Sequence, residues 1–88
     1  MKLWYVYIVE CIDNTLYTGI TTDIDRRISE HNSIGLGAKY TRSRQPVELA
    51  YLESCENRSI ASKREYAIKK LKRIEKLSLI KKYKYNLK

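Results

Sequence analysis

The pattern of apolar and polar positions divides the chain into three strands and three helices. Residues 3 to 11 are apolar at almost every position, which is typical of a strand covered on both faces. A polar turn at 13 to 15 leads into a second strand at about 16 to 20, and the sequence VELAYLESC after Pro46 predicts a third. Three short strands of this kind favour a small antiparallel sheet.

Helix signals lie between and after these strands. Thr22 and Asp25 are spaced as in a capping box, which predicts a helix through about His31. A glycine-bearing loop then leads to Pro46, and the C-terminal third predicts a long helix from about 57 or 59 to 71 and a final helix at about 75 to 84. The element order ββαβαα indicates an α+β fold, a small three-stranded antiparallel sheet flanked by helices.

Length and composition are those of one small folded domain. The chain has 88 residues, 43% of them hydrophobic, so we expect a single domain spanning 1–88 with one modest core. No apolar run approaches the ~18 residues of a membrane span, and the N-terminal sequence lacks the charged leader and small-residue cleavage site of a signal peptide. We therefore expect a cytoplasmic protein. Cys11 and Cys55 lie in apolar segments and should be buried thiols rather than a disulfide.

Positive charge is concentrated in the C-terminal third. Residues 1 to 57 contain 6 Lys and Arg against 8 Asp and Glu, a net charge of −2, whereas residues 58 to 88 contain 12 against 2, a net charge of +10. A polyanion is the natural partner, because each neutralised phosphate releases counterions. A membrane surface is disfavoured, since it normally requires an exposed aromatic or leucine face. Charge therefore predicts a nucleic-acid partner.

Tyr7 and Tyr17 lie on the predicted hairpin, and its register decides whether they act together. A two-residue turn at 13 and 14 would place the two rings on opposite faces of the sheet. A three-residue turn at 13 to 15, which pairs Ile12 with Leu16, would place both rings on one face. Both registers stay open from the residues alone, as does simple packing of the rings. We predict the three-residue turn and the common face, because two tyrosines that act on one water need that geometry. A phenol has an unperturbed pKa of about 10, so a tyrosine that acts as a base needs a cation or metal nearby.

The first helix carries two further candidates. Ile24 and Ile28 define its buried stripe, Arg27 lies at the edge of that stripe, His31 projects between the two isoleucines, and Arg26 points outward. The four-residue spacing lets Arg27 and His31 reach one anion from the same side. The alternatives are a solvated arginine and a hydrogen-bonded core histidine.

The order of these residues resembles the GIY-YIG nuclease family. The sequences YVY at 5–7 and YTG at 17–19 stand where the family has its two namesake tripeptides, and Arg27, His31 and Glu65 follow in order. Longer stretches, LYTGITTDIDRRISEHN, GLGAKYTRSRQPVELAY and REYAIKKLKRIEKLSLI, resemble the small stand-alone bacterial members, so the resemblance covers nearly the whole chain. Tyr5 replaces the Gly and Thr18 the Ile of the namesake motif, but neither side chain is one that the family's chemistry uses.

The resemblance implies a role for each residue of this set. Tyr7 is implied as the general base, with Tyr17 bonded to it or to the attacking water, and Arg27 as the clamp on the scissile phosphate. His31 would bind phosphate or relay protons. Glu65 is implied as the sole carboxylate ligand of Mg²⁺ or Mn²⁺, and one carboxylate suits Mg²⁺, which keeps several waters. From spacing alone, Glu65 would instead form an ion pair with Lys69.

Two basic segments are candidates for holding a nucleic-acid strand by phosphate contacts and stacking, with a merely solvated surface as the alternative for each. The first lies in the glycine-bearing loop and comprises Lys39, Tyr40, Arg42 and Arg44; the second lies in the C-terminal helices and includes Lys69, Lys70, Lys72 and Arg73.

The leading expectation is a Mg²⁺-dependent endonuclease that acts on DNA, with branched or damaged DNA as the substrate class suggested by the resemblance. Two alternatives stay open: a nucleic-acid-binding module that keeps the fold without useful catalysis, completed by a partner protein, and an RNA-directed nuclease. No base-reading motif is present, and phosphate contacts carry no sequence information. The residues therefore do not settle the substrate, and we rank DNA before RNA.

Overall fold

The protein, described here by a computed structural model over residues 2–87, contains one antiparallel sheet. Its strands are β1 (Trp4–Glu10), β2 (Leu16–Thr21) and β3 (Glu48–Cys55), in the order β2-β1-β3. The helices are α1 (Ile24–His31), α2 (Lys39–Arg42), α3 (Arg58–Lys69) and α4 (Arg73–Asn86). The predicted α+β fold with three antiparallel strands is confirmed, and the short helix α2 is an addition to it.

The continuous apolar run of β1 follows from its central position. Val6 and Ile8 point to one face of the sheet and pack against α3 and α4 through Ala61, Ile68 and Ile80. The alternate residues Tyr7 and Val9 point to the other face and pack with Val47 and with Ile24 and Ile28 of α1. Because both faces are covered, all four central residues of β1 are buried, as the sequence predicted.

The hairpin between β1 and β2 places Tyr7 and Tyr17 on one face, but through a register that the sequence did not predict. Glu10 pairs with Leu16, Val9 with Tyr17 and Tyr7 with Gly19. The expected pair of Ile12 with Leu16 is therefore wrong by two residues, because the turn spans Cys11 to Thr15 and is closed by the Cys11 N–H on the Thr15 carbonyl at 2.9 Å. A shift of two preserves the facing of every side chain, so the predicted common face is confirmed.

The N-cap of helix α1 lies one residue later than predicted. The Asp23 carboxylate, not the Thr22 hydroxyl, accepts the backbone N–H of Arg26 at 3.1 Å, so the expected capping box at Thr22 and Asp25 is wrong. The cause is that β2 extends to Thr21, whose hydroxyl accepts the Asp23 N–H at 3.1 Å and holds Asp23 in the extended conformation of a cap residue.

The segment predicted as a glycine-bearing loop contains the single helical turn α2. Thr41 and Arg42 both donate their backbone N–H to the carbonyl of Ala38 at 3.1 Å. A segment of four residues is too short to show helical periodicity, which is why the sequence did not reveal it. Lys39, Tyr40 and Arg42 therefore lie on a helix rather than in a loop, and only Arg44 follows it.

The remaining expectations concern the C-terminal helices and the cysteines. Asn57 caps α3 by accepting the Ile60 N–H at 2.9 Å. Helix α4 is longer than predicted, because the Glu75 carboxylate accepts the Lys72 N–H at 2.9 Å and the helix therefore begins at Arg73. Cys11 and Cys55 are buried free thiols, as expected. Within residues 2–87 no helix is long and apolar enough to span a membrane.

Candidate active site

Tyr7 lies at the centre of the site because the residue opposite it on β2 is Gly19. A Cβ atom built on Gly19 would lie 2.6 Å from the Tyr7 hydroxyl and 2.8 Å from the ring carbon that carries it. No heavy atom of another side chain fits there, so the glycine of the YTG sequence leaves the space in which the Tyr7 ring lies. An isolated glycine inside a strand often marks such a close approach.

The Tyr7 hydroxyl lies between two nitrogen atoms supplied by α1. His31 Nε2 is 2.8 Å away, and Arg27 Nε donates to the hydroxyl oxygen at 3.4 Å. The four-residue spacing of Arg27 and His31 brings both to this one oxygen, as the sequence suggested for a shared anion. Tyr17 completes the group, with its ring 6.5 Å from that of Tyr7 and 5.4 Å from that of His31 between centroids.

His31 is a fully buried histidine with both ring nitrogens occupied. Its Nδ1 lies 2.8 Å from Thr41 Oγ1, and its Nε2 bonds to Tyr7. Burial, followed by the positive charge of Arg27, lowers the pKa of His31 from 6.5 to about 4, so the ring is neutral at physiological pH. A buried ring with no free nitrogen is placed to pass a proton rather than to hold a phosphate.

Burial also raises the pKa of Tyr7 above its ordinary value of 10. The hydrogen bond and the charge of Arg27 act in the opposite direction, whereas negative charge on Tyr17 and on Glu65 adds to the increase. Tyr7 is consequently a protonated phenol in the free protein. It becomes a base only if its own proton has an acceptor at the moment of reaction.

The two neighbouring arginines of α1 differ in position as the helix phase predicted. The side chain of Arg27 is 26% exposed, and its guanidinium bonds to Glu30 at 3.0 Å. The side chain of Arg26 is 63% exposed and has only a longer ion pair of 3.8 Å with the same carboxylate. Arg27 thus faces the site with its edge open to an incoming anion, while Arg26 faces solvent.

Glu65 lies on α3, close enough to the site for its charge to raise the pKa of Tyr7. Its side chain is 23% exposed and forms an ion pair with Lys69 at 3.3 Å, which is the contact that spacing alone suggested. A partly exposed pair of this kind contributes only about 0.3–0.5 kcal/mol. A metal ion that binds Glu65, or a phosphate that binds Lys69, could therefore break the pair at small cost. Among residues 2–87 no cluster of three or more His, Cys, Asp or Glu side chains lies close enough together to hold a metal ion.

Tyr40 and Arg44 extend the aromatic group away from Tyr7. The Tyr40 ring stacks on Tyr17, with centroids 5.9 Å apart, and the Arg44 guanidinium covers it at 4.2 Å. Arg44 is itself fixed by Asp13 at 3.1 Å and by the Tyr40 carbonyl at 2.7 Å. Because the Arg44 guanidinium covers the Tyr40 ring, a base that stacks on the covered face must displace Arg44. Strand binding by this pair stays a prediction.

The two basic segments named from the sequence meet at one cleft. A cavity of about 210 Å³ is lined by Thr15, Leu16, Tyr40, Arg73 and Lys76. Arg73 is oriented by a 2.8 Å hydrogen bond to the Asn14 carbonyl, and within the described part of the chain neither Arg73 nor Lys76 has a carboxylate within 4 Å. Two converging cations without a counter-charge favour an anionic ligand in this cleft.

The other predicted binding residues lie outside this cleft. Lys69 bonds to Glu65, and the Lys70 ammonium lies 4.3 Å from the centroid of the Tyr66 ring. Lys39, Arg42 and Lys72 are exposed. These three exposed side chains are placed to contribute to a positive surface.

Sequence reasoning missed four residues that shape the site. They are Gly19, Glu30, Thr41 and Lys76. Gly19 had a signal, an isolated glycine inside a strand. The other three had none, because their roles depend on which side chains the fold brings next to them.

Comparison with known proteins agrees with this arrangement. Residues 3–84 match the model of the GIY-YIG catalytic domain, so the chain belongs to the GIY-YIG nuclease superfamily, whose nucleases act on nucleic acid. Within it, the chain is 65% identical over 78 residues to a UPF0213 protein of Desulfotalea psychrophila, which covers 89% of this chain and 71% of that protein.

Two solution NMR structures are similar in both sequence and fold. A protein from E. faecalis is 44% identical with a TM-score of 0.64, covering 100% of this chain and 91% of that one. A UPF0213 protein from Bacillus halodurans is 47% identical with a TM-score of 0.57, covering 90% of this chain and 83% of that one. The family resemblance inferred from the residues is confirmed.

Proposed function

We propose that this protein is a metal-dependent endonuclease that hydrolyses phosphodiester bonds in DNA, with branched or damaged DNA as the substrate class to test first. The observation that carries the proposal is the Tyr7 hydroxyl held between His31 Nε2 at 2.8 Å and Arg27 Nε at 3.4 Å. Hydrolysis of a phosphodiester needs a deprotonated water and neutralised phosphoryl oxygens. Tyr7 with His31 supplies the first, and Arg27 supplies the second.

Proton transfer runs from water to Tyr7 and from Tyr7 to His31. The phenol takes the proton of the attacking water only as its own proton leaves, and His31 Nε2 is the acceptor within hydrogen-bond distance. In the free protein this transfer is unfavourable, because the pKa of Tyr7 is raised and that of His31 is lowered to about 4. Catalysis must therefore depend on a change that substrate brings.

A bound phosphate changes the balance in the required direction. The Arg27 charge is the second cause, after burial, of the low pKa of His31. When a phosphate pairs with Arg27, the positive charge next to His31 is compensated, and the pKa of His31 rises. The same compensation also raises the pKa of Tyr7, so what it favours is the overall transfer of the water proton to His31, in which Tyr7 gains one proton as it gives up the other.

Glu65 is the residue that would hold the metal. Its single carboxylate fits Mg²⁺ or Mn²⁺, which retain several waters and complete their coordination with substrate oxygens, and its ion pair with Lys69 is weak enough to yield. When bound, such an ion supplies stabilisation of the negative charge that develops as the phosphodiester breaks. Arg27 acts on the same charge from the side of α1.

The nucleic-acid path runs from Tyr7 past Tyr17 and Tyr40 to the cleft at Arg73 and Lys76. Successive ring centroids from Tyr7 to Tyr40 are 6.5 and 5.9 Å apart, and Tyr40 itself lines the cleft. The two cations would hold a backbone phosphate and leave the bases unread, so affinity should depend on salt rather than on sequence.

The experiment that tests the proposal separates cutting from binding. The pure protein is incubated with duplex, nicked, flapped and four-way DNA and with RNA, in Mg²⁺, Mn²⁺ or EDTA, and compared with Glu65→Gln. That substitution keeps the size of the side chain, and we expect a folded variant that binds DNA at least as well as the parent but does not cut, because a metal acts on rate rather than affinity. Lys69→Gln is the matched control and should still cut.

Each outcome supports one of three hypotheses. Cutting of DNA that EDTA and Glu65→Gln both abolish supports the proposal. A parent that cuts RNA alone moves the function to an RNA nuclease, and a parent that binds but never cuts moves it to a binding module that a partner protein completes. Normal cutting by Glu65→Gln would leave Glu65 as the ion-pair partner of Lys69 and nothing more.

A further inference from the structure

Thr41 contacts the site from α2 and takes no part in the proton transfer or the phosphate contacts described above. Its side chain is fully buried, and its Oγ1 lies 2.8 Å from His31 Nδ1 and 3.0 Å from the Ala38 carbonyl oxygen. A carbonyl oxygen only accepts, so the Thr41 hydroxyl donates its one hydrogen to Ala38. Its lone pairs are then left to accept the N–H of His31 Nδ1.

The Tyr7 end of the hydrogen-bond chain also places the hydrogen of the His31 ring on Nδ1. Arg27 Nε can only donate to the Tyr7 oxygen, so the Tyr7 proton needs an acceptor elsewhere. His31 Nε2, at 2.8 Å, accepts it only if that nitrogen carries no hydrogen. Both ends therefore place the single hydrogen of the neutral ring on Nδ1 and the lone pair of Nε2 toward Tyr7.

We propose that Thr41 is a positioning residue that holds His31 in the tautomer able to receive the Tyr7 proton. This inference rests on the proposed function, in which His31 is the acceptor. Without the Thr41 hydroxyl, an N–H on Nδ1 would be buried and unpaired, which is disfavoured. The ring would then carry its hydrogen on Nε2, donate to Tyr7, and leave the Tyr7 proton without an acceptor.

The segments on both sides of α2 are attached to the end of α1. The Gln45 side-chain amide donates to the His31 carbonyl at 2.8 Å, and the Asn32 side chain bonds to both the N–H and the carbonyl of Val47, at 2.7 and 3.1 Å. Gly37 brings the chain against α1, since a Cβ there would lie 2.8 Å from the Cα of His31. The segment that carries Thr41 is thus attached to the end of α1 that carries His31.

The tautomer can be measured directly, because His31 is the only histidine of the chain. Nitrogen chemical shifts of ¹⁵N-labelled histidine distinguish a hydrogen on Nδ1 from one on Nε2, at a pH near 7.5 and with no nucleic acid present. We expect the parent to carry the hydrogen on Nδ1. Thr41→Val, which keeps the shape and removes the hydroxyl, should move it to Nε2, and Thr41→Ser should restore it.

Thr18→Val is the matched control, since Thr18 is also buried but lies on β2 opposite Ile8, on the other face of the sheet from Tyr7. It should leave the tautomer unchanged. For cutting, Thr41→Val should lower kcat by ~10²-fold with KM unchanged, in keeping with the loss of one general-base contribution, and Thr41→Ser should recover most of it.

A hydrogen on Nε2 in the parent would overturn the inference without any variant, and so would an unchanged tautomer in Thr41→Val. If Thr41→Val fails to fold, the parent and Thr41→Ser spectra still decide the question. A protein that never cuts but carries the Nδ1 hydrogen and loses it in Thr41→Val would refute the proposed function and leave the assignment of Thr41 intact.

Discussion

The buried neutral histidine predicts a specific loss of stability in mild acid. Folding lowers the pKa of His31 from 6.5 to about 4, through burial first and the charge of Arg27 second. Between these two values the unfolded chain binds a proton at this position and the folded chain does not, so stability falls as pH falls. The stability that neutral His31 contributes is complete above about pH 6.5 and is lost progressively as the pH falls toward 4. Below about pH 4 the loss is complete and no longer changes with pH.

The magnitude follows from the difference between the two pKa values. Each unit of pKa corresponds to about 1.4 kcal/mol, which gives about 3 kcal/mol over the whole range. At pH 4.5, where the folded form is still mostly neutral, about 2.5 kcal/mol of the free energy of unfolding should be gone relative to pH 7.5. With a urea dependence of about 1 kcal/mol per molar for so small a domain, the midpoint should fall by ~2.5 M.

Urea unfolding followed by the fluorescence of Trp4, the single tryptophan, measures this change, and His31→Gln is the control because its amide can still bond within the site. The variant should show little pH dependence between 6.5 and 4. Asp13, whose pKa is lowered chiefly by its hydrogen bond to the Thr15 hydroxyl, loses its contribution only below its ordinary 3.8, outside the window. An equally steep loss in His31→Gln, or a His31 pKa near 6.5 in a direct NMR titration, would refute the reasoning.

Three further predictions concern cleavage and binding. Arg27→Ala should lower the cleavage rate ~10²-fold or more, whereas the exposed Arg26→Ala should cost little, and equal losses would mean that the facing of α1 is misassigned. Gly19→Ala should displace the Tyr7 ring, because the added methyl would lie 2.6 Å from its hydroxyl, and so lower both Tm and the cleavage rate; an unchanged Tm and rate would contradict the close approach. The double variant Arg73→Gln with Lys76→Gln should weaken binding to all sequences alike and reduce the slope of log affinity against log salt by about 2. The same charge change at Lys81 and Lys84, farther along α4, should do less. Equal effects would mean that the phosphate contacts are spread along the helix rather than placed at the cleft.

The sequence by itself determined the three strands, the three longer helices and the five family residues at the centre of the site. The apolar run at β1 required cover on both faces, and the spacing of Arg27 and His31 required that both face one side of α1, because strand and helix periodicities fix where side chains point. The order of Tyr7, Tyr17, Arg27, His31 and Glu65 was sufficient to place the chain in its family before any coordinates. These are local properties, set by covalent geometry and burial.

Tertiary structure decided what those residues can do to one another. The hairpin register and the short helix α2 depend on which backbone hydrogen bonds close a turn, and the contact of Thr41 with His31 joins α2 to α1. The pattern of apolar and polar residues encodes none of these contacts. The protonation states follow the same rule. Burial raises the pKa of Tyr7 against the opposing effect of Arg27, whereas burial and the Arg27 charge together lower the pKa of His31 to about 4, and both conditions exist only once β1 and α1 pack. The sequence shows that a phenol and an imidazole are present, but which of them donates the proton and which accepts it depends on the fold.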